Sequence, residues 1–443
     1  MSFAVIDQLR SMFATLTSSH FVRNVAVVGG GIAAAQAITL VFMPIITRLY
    51  GPEAFGISAA FAALVSIITP LATLGYANAI VMPKSDADAA AVARLSILCG
   101  LTLASLSLLV VHFCSPWLAI LTGLEQSPMM LYLISISLLF SAFLSVANQA
   151  TIREGLFKAK ARAYVESSLI TNFGKLAGGL IAPSGLLLIV ITMAGQVLNF
   201  VIQLLRVSRS DILKPRNWFG FGGAYEAAMV HKEFALYKMP QSILNAASVG
   251  LPVILLSSMF GTAAAGQYSL AAAVLAAPLI LLGQAVGEVF YPKITRTIER
   301  KSPRARELLI KSTLGLTAAA IIPFGITMLW GDYLFLLIFG SEWRLAGEYA
   351  QWLSLWLAAA LASRACLSAA PALGLQGFML MREIASVFLR TGALYLGFIW
   401  QHSDVVAVAL FSLAGTVINI SIIYAAYSRL IHISQTWVPL KGN

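Results

Sequence analysis

The chain turns at Leu49-Tyr50-Gly51-Pro52-Glu53-Ala54-Phe55-Gly56, a short polar segment between two long apolar runs. Much later a similar turn reads Met259-Phe260-Gly261-Thr262-Ala263-Ala264-Ala265-Gly266. Each turn has a glycine, a gap of four residues and a second glycine. Each half also contains a later loop that matches: the loop at Gly123 in the first half corresponds to the loop at Gly340 in the second. We interpret the first two turns as the first hairpins of two related halves; chance similarity between apolar helices is the alternative.

The composition indicates a membrane protein. Of the 443 residues, 59% are hydrophobic and only 11% are charged, whereas soluble domains are about half apolar and a quarter charged. The apolar residues occur in uninterrupted runs of about twenty, the length that a helix needs to cross a hydrocarbon core of about 30 Å. Helical spans are therefore expected, because a helix satisfies its own backbone groups inside the bilayer.

Twelve helical spans are predicted, six in each half. Their approximate ranges are 25–47, 56–82, 92–114, 129–151, 163–182, 185–207, 238–260, 266–291, 307–330, 346–371, 378–399 and 404–429. Lys and Arg are concentrated in alternate connections, and it is the cytoplasmic loops of membrane proteins that carry this excess. Both termini are therefore predicted to be cytoplasmic. The net charge of +11 has the same explanation and predicts no nucleic-acid partner.

These patterns divide the chain into five segments. Residues 1–22 place apolar side chains at helical spacing, which predicts an interfacial amphipathic segment; a disordered tail is the alternative. The prediction continues with an N-lobe over 23–207, a cytoplasmic linker over 208–236, a C-lobe over 237–430 and a cytoplasmic tail over 431–443. Because each lobe has an even number of spans, the two lobes would be related by an axis along the membrane normal.

Cationic side chains inside predicted spans are the main candidate functional residues, because a charge at bilayer depth costs roughly 3 kcal/mol on insertion scales. Lys175, Arg364 and Arg390 lie near the middle of spans that contain few carboxylates. Such cations indicate an anionic guest in a water-filled cavity. The alternatives are snorkelling to an interface or internal pairing, for example of Arg390 with Glu383. Glu383 is itself a candidate coupling or cavity residue.

Four further residues are weaker candidates. Arg48 ends the first span and either anchors it at the interface or contacts the guest. Glu288, near the end of the eighth span, either carries a coupling proton or faces water as a loop carboxylate. Asn78 occupies the corresponding place in the second span, and Asn172 lies on the same helical face as Lys175. Both asparagines are candidate polar residues of the cavity.

The sequence lacks the common patterns of nucleotide hydrolysis and metal binding. It contains no GxxxxGK[ST] segment to cradle phosphates and no HExxH segment. Its three cysteines, Cys99, Cys114 and Cys366, are far apart and predict neither a disulfide nor a metal site. We therefore expect a protein that is not an enzyme and that needs no cofactor.

The first hairpin resembles the polysaccharide transport family. The resemblance rests on Ile46-Thr47-Arg48-Leu49-Tyr50-Gly51-Pro52-Glu53-Ala54-Phe55-Gly56, followed by Leu74-Gly75-Tyr76-Ala77-Asn78-Ala79-Ile80. This family contains the O-antigen and exopolysaccharide flippases of the multidrug/oligosaccharidyl-lipid/polysaccharide (MOP) superfamily. The resemblance implies an all-α polytopic membrane protein with a MATE-like MOP fold, in which two pseudo-symmetric six-helix lobes surround a central cavity.

The resemblance also implies a function. Such proteins move undecaprenyl-diphosphate-linked oligosaccharides from the cytoplasmic to the periplasmic leaflet of the bacterial inner membrane by alternating access. The implied partners are the lipid-linked anionic oligosaccharide, membrane lipids, a polysaccharide polymerase and chain-length proteins. A diphosphate would be attracted to Lys175, Arg364 and Arg390. Three alternatives stay open: a MATE-type multidrug cation antiporter, a flippase for lipid-linked peptidoglycan precursors, and a non-transporting scaffold of a polysaccharide assembly complex.

Overall fold

The structure, a computed structural model, describes residues 20–125, 128–206, 215–285, 290–302 and 304–435. Within these ranges the chain is helical and contains no β-strand, so the predicted all-α class is confirmed. Glu288 and most of the two predicted terminal segments lie outside the described residues.

The contacts divide the chain into two compact units. The first comprises Met1–Leu49, Leu64–Ile120 and Leu124–Ala246, and the second comprises Tyr50–Ala63, Leu121–Gly123 and Ala247–Asn443. The division follows the two halves of the sequence with two exceptions. Tyr50–Ala63, which we call the elbow helix, and the short segment Leu121–Gly123 belong to the second unit although they lie in the first half of the chain.

Fourteen α-helices are described. The first six are α1 (His20–Ile68), α2 (Asp86–Thr122), α3 (Leu133–Arg153), α4 (Phe157–Ile181), α5 (Gly185–Arg206) and α6 (Ala224–Val230). The other eight are α7 (Met239–Phe260), α8 (Thr262–Ala285), α9 (Tyr291–Glu299), α10 (Arg304–Phe339), α11 (Arg344–Ala362), α12 (Arg364–Ala369), α13 (Gln376–Gln401) and α14 (Asp404–Gln435).

Nine segments of the described chain are long and apolar enough to cross a membrane. The chain is therefore a multi-pass membrane protein, but the predicted count of twelve spans is not confirmed. The first two predicted spans fall in one helical segment, Val28–Thr73. The fifth and eleventh form α4 and α13, which are absent from the nine. Both helices contain polar residues, including Lys175 and Arg390, that lower their mean hydropathy.

The opening turn is a kink inside α1. Gly51 has φ 67° and ψ 169°, a positive φ that glycine adopts at little cost. Its counterpart in the matching turn, Gly261, has φ 91°. The second matching pair, Gly123 and Gly340, has φ values of 69° and 110°. Matching loops therefore both contain a glycine with a positive φ, which agrees with the predicted duplication.

The second glycines of the two turns pack against each other within the second unit. A Cβ atom at Gly56 would lie 1.7 Å from the carbonyl oxygen of Thr262 and 2.9 Å from the backbone nitrogen of Gly266. A Cβ atom at Gly266 would lie 2.0 Å from the carbonyl oxygen of Pro52. Because no side chain fits at such distances, glycine at both positions allows the elbow helix and α8 to approach closely.

Two buried side chains fasten the start of α11 to this contact. Gln267 donates from Nε2 to the carbonyl oxygen of Glu342 (2.6 Å), and its Oε1 accepts the backbone N–H of Ala346 (2.9 Å). The ring of Trp343 meets that of Phe55 edge to face, with centroids 5.6 Å apart. The elbow helix, α8 and α11 are thereby joined by both backbone and side-chain contacts.

The described part of the predicted linker is packed on the first unit. Trp218 is fully buried, with its ring centroid 6.0 Å from that of Phe200 and 6.3 Å from that of Phe143. Arg94 donates from Nε to the carbonyl oxygen of Asn217 at 3.0 Å. The aromatic contacts and this hydrogen bond hold the connection in place between α5 and α7.

We expect Gly56→Ala to lower the thermal stability of the purified protein in detergent, measured by scanning fluorimetry. The added methyl group would push α8 away from the elbow helix, and overpacking of this kind costs about 1–3 kcal/mol. Gly315→Ala is the matched control. A Cβ atom there meets nothing within 4 Å, and alanine favours a helix over glycine by roughly 1 kcal/mol. Equal melting temperatures for the two variants would contradict the described packing.

Candidate functional site

A cavity of about 500 Å³ lies within the second unit. Residues of α7, α8, α11, α12, α13 and α14 line it. Its charged and polar lining includes Arg364, Arg382, Glu383, Ser386, Arg390 and Asn419. Two of the cations that the sequence singled out, Arg364 and Arg390, therefore lie at one cavity.

Helix α13 places Arg390 between two aromatic rings. The guanidinium carbon lies 4.0 Å from the centroid of the Trp356 ring on α11 and 4.2 Å from that of the Phe411 ring on α14. Arg390 is only 7% exposed, and its Nη1 donates to the hydroxyl of Ser248 at 3.3 Å. Desolvated cation–π contacts are worth about 2 kcal/mol. The two rings therefore offset part of the cost of burying this charge.

Gly415 on α14 leaves space for the Trp356 ring that contacts Arg390. A Cβ atom at Gly415 would lie 2.5 Å from Cδ1 of Trp356. The Trp356 and Phe411 rings also contact each other, with centroids 5.4 Å apart and an interplanar angle of 82°. Helix packing thus fixes both rings, and the rings fix the position of the cation.

All three arginines of the cavity have a donor left over. The Nε atoms of Arg364, Arg382 and Arg390 are buried and make no hydrogen bond with the described residues. The carboxylate of Glu383 accepts from Nη2 of Arg382 at 3.2 Å. The alternative pairing of Glu383 with Arg390 is not observed. Three guanidinium groups against one carboxylate leave a formal excess of two positive charges in the lining.

A break between α11 and α12 brings Arg364 to the cavity. Ser363 lies at the break and donates from its hydroxyl to Oδ1 of Asn419 at 3.1 Å. Asn419 in turn donates from Nδ2 to the carbonyl oxygen of Gly415 at 2.8 Å. These hydrogen bonds tie the break to α14 and set the first residue of α12, Arg364, at the cavity wall.

The chemistry of this cavity is that of an anion-binding site. A buried charge without a counter-charge costs several kcal/mol. A guanidinium group binds phosphate or carboxylate oxygens through paired N–H donors. An anion in the cavity would satisfy the spare Nε donors and balance the excess positive charge.

Two predicted site residues lie on α4 in the first unit. Asn172 is buried and donates from Nδ2 to the hydroxyl of Thr39 (3.2 Å) and to the carbonyl oxygen of Ser168 (2.8 Å). It therefore joins α4 to α1. Lys175, about one turn further along α4, is partly buried. Arg48 is exposed, near the kink of α1.

Asn78 lies at a second, smaller cavity in the first unit. Its Oδ1 accepts from Nε2 of Gln149 at 3.2 Å. The cavity has a volume of about 220 Å³ and is lined by uncharged residues, several of them polar. The structure thus groups Arg364, Arg382 and Arg390 with Glu383, and it places Asn78, Asn172, Lys175 and Arg48 in the other unit.

The sequence interpretation missed Arg382 and Trp356 of the arginine cavity, and the Phe411 ring that contacts Arg390. Arg382 lies about two turns before Arg390 on the same helix, a spacing that puts both on one face; this signal was available in the sequence. Trp356 and Phe411 have no comparable signal, because aromatic residues are ordinary in apolar helices.

Fold and cavity together define a polytopic membrane protein with a cationic site. Residues 45–347 match the family described as "Polysaccharide biosynthesis protein". This match covers more than half of the sequence, and the chain belongs to that family.

One curated relative and two solved structures extend the comparison. The succinoglycan biosynthesis transport protein ExoT of Rhizobium meliloti (strain 1021) is 24% identical over 314 residues, 70% of this chain and 60% of ExoT. The chain therefore spans less than two thirds of the length of this relative. The solved structures are a multidrug resistance MATE family transporter of the MOP superfamily in its inward-facing conformation and the lipid II flippase MurJ in its inward closed conformation.

The two structural similarities establish the fold. For the MATE transporter the TM-score is 0.71 at 15% identity, and the similarity covers 93% of this chain and 100% of the transporter. For MurJ the TM-score is 0.70 at 12% identity, covering 90% of this chain and 88% of that one. The predicted MOP fold is confirmed. All three similar proteins are transporters or flippases rather than enzymes.

We expect Arg390→Lys to lower the melting temperature of the protein in detergent although the charge is kept. An ammonium group cannot stack flat on a ring face as a guanidinium does, so up to about 2 kcal/mol of cation–π stabilisation would be lost. Arg162→Lys, at an exposed position on α4, is the control and should leave the melting temperature unchanged. Equal melting temperatures for the two variants would show that the contacts of Arg390 with the two rings do not stabilise the protein.

Proposed function

We propose that this protein is a flippase that moves undecaprenyl-diphosphate-linked oligosaccharides from the cytoplasmic to the periplasmic leaflet of the bacterial inner membrane. The products would supply the assembly of O-antigen, capsule or exopolysaccharide. Membership of a polysaccharide biosynthesis family and similarity to a succinoglycan transport protein support the saccharide cargo. The observation that carries the proposal is the excess of buried guanidinium groups at one cavity.

The diphosphate is the part of this cargo that the cavity suits best. Its oxygens are acceptors only, and the three arginines each have a spare Nε donor. Arg390, fixed between its rings, supplies a permanent positive charge. Arg364 and Arg382 are more exposed, so they can contact phosphate oxygens directly. The carboxylate of Glu383 limits the excess charge, which keeps binding weak enough for release on the other side.

Residues of the first unit have complementary roles in this proposal. Lys175 and Arg48 are further cations that attract the diphosphate. Asn172 holds α4 and α1 together through its hydrogen bond to Thr39. The uncharged polar cavity at Asn78 offers donors and acceptors that suit sugar hydroxyl groups.

The Lys and Arg distribution supports cytoplasmic termini. In this setting the membrane partners would be a polysaccharide polymerase and chain-length proteins, which receive the cargo after it is flipped.

A multidrug cation antiporter is the second candidate, and fold similarity to a MATE transporter supports it. Binding of an organic cation would require a cavity with excess negative charge. The described cavity has one carboxylate, and that group already accepts a hydrogen bond from Arg382. A non-transporting scaffold would leave the spare arginine donors without a ligand. The electrostatics therefore favour an anionic cargo over both alternatives.

Flipping in proteoliposomes tests the proposal. With a fluorescent undecaprenyl-diphosphate oligosaccharide as cargo, we expect Arg364→Ala and Arg382→Ala each to reduce the rate about tenfold or more. A hydrogen bond to a charged group contributes about 1.5–3 kcal/mol, and this loss is large enough for such an effect. Arg162→Ala, which removes an exposed cation outside the cavity, should flip normally. Undiminished flipping by both cavity variants would rule out the cavity as the diphosphate site.

The same vesicles separate the candidate functions. Transport of a cationic dye, insensitive to the arginine variants and unaccompanied by any flipping, would favour the antiporter. Absence of both activities in well-folded protein would favour the scaffold.

Lys175→Ala provides an independent test of the first unit in cells. We expect it to reduce surface polysaccharide several-fold in a strain that depends on this protein, while the amount of protein in the membrane is unchanged. Lys158→Ala, at an exposed position on the same helix, should support normal polysaccharide. Equal polysaccharide levels from the two variants would remove Lys175 from the proposed pathway.

A further inference from the structure

A second basic cavity lies at the start of α10, apart from the arginine cavity. Its volume is about 450 Å³, and its lining includes Lys293, Arg296, Arg300, Arg304, Glu307 and Lys311. It shares no lining residue with the arginine cavity. The proposed transport reaction does not use it.

The amphipathic helix α9 builds this cavity. Ile294 and Ile298 are buried, 0% and 8% exposed, in a cluster that includes Ala305 and Leu309 of α10. Burial of this apolar face leaves Lys293, Arg296 and Arg300 exposed. Packing of the isoleucines therefore determines where the cations lie.

A tight turn then brings α10 back beside α9. The backbone N–H of Lys301 donates to the carbonyl oxygen of Ile298 (2.9 Å), and that of Ser302 donates to the carbonyl oxygen of Thr297 (3.1 Å). The basic residues of the two helices therefore surround a concave site. Charges in a flexible loop would not create such a shape.

Among the described residues, the lining of this cavity contains a single carboxylate, that of Glu307. Glu307 forms an ion pair with Lys311 at 2.6 Å. The side chains of Lys293, Arg296, Arg300 and Arg304 form no salt bridge with the described residues. In the first unit, by contrast, Arg153 pairs with Asp86 at 2.9 Å.

From this geometry we infer that the basic cavity binds the phosphate group of an anionic phospholipid. Four cations that form no salt bridge with the described residues attract an anion, and Arg296, Arg300 and Arg304 present guanidinium groups that match phosphate oxygens. The first backbone N–H groups of the long helix α10 add to the positive potential.

The position of the cavity favours a lipid headgroup over a soluble phosphate. The cavity stands at the end of a candidate membrane span, Arg304–Phe339. Lys311, in its lining, lies within the first turns of that span. Leu308 adds an apolar surface to the lining. Tyr291, at the start of α9, is 43% exposed, and tyrosine is enriched where membrane meets water. Basic sites at this depth suit lipid phosphates.

Lipid binding to the purified full-length protein in detergent, followed by native mass spectrometry, tests this inference. Phosphatidylglycerol should bind, whereas phosphatidylcholine should bind far more weakly. We expect the double variant Arg296→Gln/Arg300→Gln to weaken phosphatidylglycerol binding about tenfold or more. Lys301→Gln/Arg306→Gln is the matched control. It removes two exposed cations of the same segment that do not line the cavity, and its binding should change by less than about twofold.

Three further results decide between the inference and its rivals. Equal loss in both double variants would show that diffuse surface charge attracts the lipid, and would overturn the inference. Binding of inorganic pyrophosphate at the same residues without any preference for phosphatidylglycerol would overturn the lipid assignment. The double variant Arg296→Lys/Arg300→Lys keeps both charges and is the control for a folding defect. It should bind phosphatidylglycerol more tightly than the glutamine variant and more weakly than the unsubstituted protein. Binding equal to that of the glutamine variant would count against phosphate recognition by charge.

Discussion

The constraint on which the second unit depends is the cost of a positive charge in surroundings of low dielectric. A guanidinium group removed from water must regain interactions from the protein. Arg390 regains them from the faces of Trp356 and Phe411 and from the hydroxyl of Ser248. Those contacts require α7, α11, α13 and α14 to meet around one side chain. The spare Nε donor shows that the compensation is incomplete, and an anionic ligand would complete it.

Close packing without side chains fixes a second set of helix contacts in the same unit. Gly56 and Gly266 bring two backbones within a distance that a single methyl group would prevent. The elbow helix is thereby fixed to α8, and through Gln267 and Trp343 the start of α11 is fixed as well. Since α11 contributes Trp356, the contact between Gly56 and Gly266 and the contacts of Arg390 with its two rings belong to one continuous packing arrangement.

The sequence predicted the helical class, two of the three cavity arginines and the glycines of the elbow. These predictions rest on local rules: hydropathy over a span, the cost of a charge in that span, and the backbone freedom of glycine. Which arginine each carboxylate contacts was not predictable in the same way. Glu383 was a reasonable partner for Arg390, two turns away on the same helical face, yet it bonds to its neighbour Arg382. The hydropathy of α4 and α13 likewise left the number of spans undecided.

By itself the sequence determined that this chain crosses a membrane repeatedly as helices and that cations lie within several of its long apolar helices, and it predicted that the two halves are related. Composition and periodicity settle such properties because they depend on each segment and its solvent alone. Only the tertiary structure decided which cations share a cavity, which rings enclose Arg390 and which glycines touch. Those outcomes depend on helices far apart in the chain. Hydropathy cannot specify how the helices pack, and the packing alone brings scattered arginines together at one cavity.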